Sequence, residues 1–163
     1  MDARSLSPVF GGPCREAHEL TGHIMSDTIW LEVSDGREKS GGERDNSIML
    51  KLTSELDTLA ERLGVSKLSS FYDNTALADA YAGEFEGVEV PQVESVWFDA
   101  GPGRGAVEAI LAELRSNAAA IRYPSDPSRG HWPDALLEEL QYCHASLTQA
   151  QQRGLRFHFL IVP

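Results

Sequence analysis

Residues 155–163 read LRFHFLIVP, the one stretch of this chain that joins a near-continuous apolar run to strong β-formers. Alternation along a strand sends Phe157, Phe159 and Ile161 to one face and His158, Leu160 and Val162 to the other, so both faces need cover. A strand of that kind belongs in the middle of a small sheet. The rest of the fold is read outward from it.

Immediately upstream, Leu136, Leu140, Cys143, Leu147 and Ala150 repeat at helical spacing from Pro133 to Arg153, with Pro133 suited to a first helical position and Gly154 to a stop. Before that, residues 123–132 (YPSDPSRGHW) have the composition of a loop. A further helix carries Val107, Ile110, Leu111, Leu114 and Ala118 on one face. It follows a glycine-rich loop at Gly101, Gly103 and Gly105 and a strand over residues 93–99.

The first half repeats that plan. Residues 28–34 alternate as a strand, with Ile29, Leu31 and Val33 on one side and Trp30 and Glu32 on the other. A charged loop over residues 35–45 leads into a helix from Asn46 or Ser47 to Leu63, which Gly64 stops. A turn-rich segment (SSFYDN, 69–74) precedes a short helix over residues 75–82. The expected fold is therefore a single layered α/β or α+β domain. Its order is β-α-α-β-α-α-β, with three to four strands and about four helices, residues 155–162 lying centrally.

Residues 1–24 lack periodicity and read as an extension outside a domain that spans residues 25–163, with Met25 an alternative start. The 163 residues suit one core, and no apolar run approaches membrane-spanning length. The formal charge of −11 disfavours nucleic acid and favours a basic partner. Cys14 and Cys143 make neither a disulfide framework nor a metal set, which fits a reducing cytoplasm.

Two segments align in register: 29–37 (IWLEVSDGR) and 96–104 (VWFDAGPGR) share Trp, Gly and Arg. A chain of this length offers many window pairs, so coincidence competes with a true repeat. Were the two strands parallel neighbours, Glu32 and Asp99 would lie about 5 Å apart across the sheet, and one carboxyl would be driven toward its protonated form. Arg37 and Arg104 would flank the loops at the strand ends, where open α/β sheets bind ligands. These four residues make a small enzyme or anion-binding protein one reading, with Glu32 and Asp99 catalytic and Arg37 and Arg104 holding the ligand. The competing reading is of surface acids at a strand edge, each satisfied by water or by a neighbouring arginine. Neither glycine loop has a phosphate-binding spacing, and no cofactor is expected.

Between Lys67 and Arg104 no basic residue occurs, while Asp73, Asp79, Glu84, Glu86, Glu89, Glu94 and Asp99 are all acidic. With aromatic residues interspersed, this stretch suggests a surface for a basic protein, as in inhibitors and immunity proteins, against the plainer reading of a solvated loop. That non-catalytic interaction module is the favoured function. A third reading is a self-associating subunit that uses the face carrying Trp30 and Trp97. HELTGH (18–23) spaces its histidines wrongly for zinc, and EFEGVE (84–89) does not match a calcium loop, so no metal is expected. Cys143 on an apolar stripe reads as a buried thiol, and His158 as a hydrogen-bonded core residue rather than a catalytic base.

Overall fold

A computed structural model describes residues 27–36, 39–41, 44–84, 94–125 and 131–163. The extension expected over residues 1–24 lies outside them, as do Arg37, Glu86 and Glu89. The strand β5 (Arg156–Val162) is central, as its two-sided hydrophobicity requires. On one edge it pairs antiparallel with β1 (Thr28–Ser34) along the full length of both, Leu31 opposite Phe159 and Glu32 opposite His158. Its other edge is shared by two short strands end to end. One is β3 (Tyr72–Asp73), parallel at Phe159 and Leu160; the other is β4 (Phe98–Asp99), antiparallel at Phe157 and Arg156. Outside β1 lies its hairpin partner β2 (Lys39–Gly41), the fifth strand of the sheet among the described residues.

Among the described residues, five α-helices accompany the sheet: α1 (Ser47–Lys51), α2 (Thr53–Leu63), α3 (Thr75–Glu84), α4 (Ala100–Ser116) and α5 (Trp132–Gln152). The domain is mixed α/β, single and compact. Its core joins Ile29, Leu31, Phe157 and Phe159 from one sheet face to Met49, Leu52, Leu56 and Leu59, to Val107, Ile110 and Leu114, and to Leu136, Leu140 and Leu147. Burying an aliphatic or aromatic side chain contributes about 1.5–3 kcal/mol. Phe157 also lies about 5 Å from the rings of Phe71 and Phe159, tilted or edge-on.

The structure adds detail that periodicity alone missed. The helix expected from residue 46 or 47 to 63 is interrupted at Leu52, whose φ of −103° and ψ of 17° leave the helical well. Next to it, the Thr53 hydroxyl donates back to the carbonyl of Leu50 at 2.7 Å and meets the Tyr72 hydroxyl at 2.9 Å, a side-chain competition that bends helices. The glycine loop expected at residues 101–105 is instead the opening of α4. Pro102 is tolerated there because first-turn amides have no helical acceptor. Gly103 allows the close approach of α4 to the sheet, since a Cβ at that position would lie 2.2 Å from Cζ of Phe157.

The strand expected over residues 93–99 is reduced to β4, and residues 94–97 run without ladder pairing. The described parts of the two similar segments, residues 29–36 and 96–104, also fold differently. The first is a seven-residue strand entering a hairpin, the second a two-residue strand running straight into a helix.

Candidate functional site

On the sheet face away from the helical core, β1 and β5 place Glu32 beside His158. Asp73 reaches the same imidazole from β3, because His158 sits between the two short strands that share the second edge of β5. Nε2 of His158 lies 3.0 Å from Oε2 of Glu32. Nδ1 lies 3.0 Å from the carbonyl oxygen of Val96 and 3.2 Å from Oδ2 of Asp73. A carbonyl can only accept, so Nδ1 carries a hydrogen and donates it. The Trp97 ring covers the imidazole, stacked at 4.0 Å and 16°.

Asp73 is saturated with donors. Its Oδ1 accepts from the amide of Thr75 at 2.8 Å and the hydroxyl of Thr75 at 2.5 Å, and its Oδ2 accepts from the amide of Val96 at 2.8 Å. Burial pushes this carboxyl up, but the hydrogen bonds from Thr75 and Val96, with His158 behind them, outweigh it and hold Asp73 below the ordinary carboxylate range. Asp73 and His158 are buried, and the Glu32 side chain is 15% exposed. The arrangement joins β1, β3, β5 and the segment 94–97 through one imidazole.

The expected pairing of Glu32 with Asp99 does not occur. Both β1 and β4 run antiparallel to β5 but on opposite edges of it, which separates them by two strand spacings, roughly 10 Å. Asp99 stands opposite Arg156 with its side chain 85% exposed, 3.9 Å from the guanidinium. The acid that faces Glu32 is Asp73, across His158. Arg104, in the opening turns of α4, pairs with Glu108 at 3.0 Å, and Arg37 lies outside the described residues.

Of the acidic stretch, Asp73 is turned inward, while Asp79, Glu94 and Asp99 are exposed. Glu84 closes α3, with its side chain outside the described atoms, and Glu86 and Glu89 lie wholly outside. Val96 stands between the exposed acids, 52% exposed, the one large hydrophobic residue so exposed among the described residues.

Three grooves are lined by described residues. One of about 450 Å³ between α4 and α5 carries Leu111, Arg115 and His144; one of about 270 Å³ lies beside α2; one of about 150 Å³ lies between the β1–β2 hairpin and α5. Neither Glu32 nor Asp99 lines any of these three. Among the described residues, no group of three or more His, Cys, Asp or Glu could hold a metal, and no helix is long and apolar enough to cross a membrane. Cys143 is buried beside Met49, and burial pushes its thiol up. The chain matches no family model, no curated protein and no solved structure.

The His158 cluster was only half legible. DNT at 73–75 is a local signal, an aspartate positioned to bond the amide two residues on at a helix start. Bringing Glu32 and Asp73 to one histidine needed the strand register.

Proposed function

We propose that the protein is a non-catalytic interaction module that presents residues 94–99 to a basic protein surface. The observation that carries this reading is the pairing of an exposed apolar residue with a fixed backbone. Val96 is exposed and lies in sequence between exposed Glu94 and Asp99, while its own amide and carbonyl are held by Asp73 and His158. An exposed apolar residue flanked in sequence by acids suits a partner offering an apolar recess among lysines or arginines, and the fixed backbone lowers the entropy lost on binding. Asp79 and the acids at 84, 86 and 89 would extend the same field. A cytoplasmic setting fits the cysteine usage, and a regulatory role toward a basic protein, of inhibitor or immunity type, fits the charge.

A catalytic use of Glu32 has less behind it. The imidazole beside Glu32 is buried under Trp97, and Asp99 is two strands away.

Capture from lysate by wild-type protein, Val96→Lys and Glu94→Lys tests the proposal. The expected result is a basic protein retained by wild type at low salt, lost with Val96→Lys and weakened by Glu94→Lys and by added salt. Capture indifferent to both substitutions would contradict it.

A further inference from the structure

The groove of about 270 Å³ beside α2 is lined from that helix and from the chain that follows α4. Arg62, in the last turn of α2, lines it from the first side and Arg122 from the second. Both residues are exposed, and among the described residues neither enters an ion pair. The backbone that carries Arg122 is tethered. The Asn117 side chain accepts from the amide of Ala119 at 3.2 Å, the Asn117 carbonyl accepts from the amide of Ala120 at 3.0 Å, and Ile121 is buried in the core, as Leu59 of α2 is. Two guanidinium groups held at one groove repel each other, in a chain whose 14 basic and 25 acidic residues make carboxylates the plentiful partner. An anion between them turns that repulsion into attraction.

We propose that this groove binds the phosphoryl group of a small molecule, with Arg62 and Arg122 donating to its oxygens and the Ser54 hydroxyl adding a further donor. A carboxylate has two oxygens, which one guanidinium fork can saturate. A phosphoryl group carries more charge and a third acceptor oxygen, so it suits two forks arriving from two sides. Thr58 adds no donor, because its hydroxyl already donates to the carbonyl of Ser54 at 2.8 Å. Glu55 also lines the groove. It precedes Arg62 by two helical turns, roughly 10 Å along the axis of α2, so it leaves the arginine end open and opposes a longer polyanion. The volume falls just below the ~300–1,000 Å³ of pockets for drug-sized ligands, which selects free phosphate or a short phosphate ester over a nucleotide. Nucleic acid is disfavoured by the overall charge of −11. The site shares no residue with segment 94–99, so it stands or falls apart from the partner reading.

The test is titration of the whole protein with inorganic phosphate, with glycerol phosphate and, at matched ionic strength, with sodium chloride. The readout is the backbone amide resonances of Arg62, Ile121 and Arg122, with Ile110 in α4 as the reference for an intact fold. Wild type is expected to show saturable shifts with a phosphate probe and none with chloride. Arg62→Gln and Arg122→Gln should each weaken binding at least about tenfold, the worth of one charge-assisted hydrogen bond, while Arg115→Gln should leave it within about twofold. Arg115 is the control because it is an exposed arginine in a different groove. Tighter binding of glycerol phosphate makes an ester the occupant, tighter binding of inorganic phosphate makes it free phosphate, and either upholds the site. Shifts that are absent or unsaturable with both probes, that chloride reproduces, or that Arg115→Gln weakens as much as the two groove variants would each overturn it.

Discussion

Asp73 shows how far a residue's role departs from its formal charge. In the sequence it is one of seven acids in a stretch with no basic residue, while in the structure it is buried and accepts from three donors of Thr75 and Val96. Its folded pKa is held below the unfolded value of about 3.9. The stability it contributes is therefore complete above about pH 4 and is lost as the pH falls through the depressed folded value. Asp73→Asn is expected to be less stable at neutral pH by about 1–3 kcal/mol, with a shallower loss on acidification below pH 4, both measurable by urea unfolding across pH. An unchanged acid limb would contradict this assignment. Gly103 makes a steric counterpart: Gly103→Ala places a methyl against the Phe157 ring and is expected to cost about 1–3 kcal/mol in the same assay.

Among the elements, the short helix α1 depends on a distant one. Glu139 of α5 accepts from the amides of Ile48 at 3.1 Å and Met49 at 2.7 Å, capping a five-residue helix too short to persist alone. Burial pushes Glu139 up, and the two amide bonds oppose that. Glu139→Ala is expected to destabilise by about 2 kcal/mol, and Glu139→Gln by less because the amide oxygen still accepts one bond. Equal effects of the two would mean that packing, not capping, is what α1 loses. The same helix pair encloses Cys143, so its thiol should label at the rate of global unfolding rather than as a surface cysteine would.

Long periodic elements were legible, as the apolar stripes of α2, α4 and α5 and the alternation of β1 show. The two-residue strands β3 and β4 were not, because a strand that short has no period of its own and exists only where β5 offers an edge. The glycines that open α4 read as a loop because helix propensity is low there, and contact with Phe157 overrode it.

At the scale of the whole molecule, the central place of β5 was legible because a strand apolar on both faces has few other places to go. The arrangement around His158 was not. Its partners Glu32 and Asp73 come from strands far away in sequence, and no local rule sets a register across that separation. The inferred pairing of Glu32 with Asp99 failed for the same reason, since it needed parallel neighbours where the chain built two strands flanking β5.

On the proposed reading, the charge balance of −11 and the exposed Val96 with its neighbouring acids predict binding that is strong at low salt and weakened by screening. The most direct test is photo-crosslinking in lysate from a reactive side chain placed at position 96, beside the same group at position 112 in the groove between α4 and α5. A salt-sensitive adduct with a basic protein from position 96, and none from 112, is the predicted result. Adducts from position 112 with position 96 silent would contradict it and move the recognition surface to the helical side.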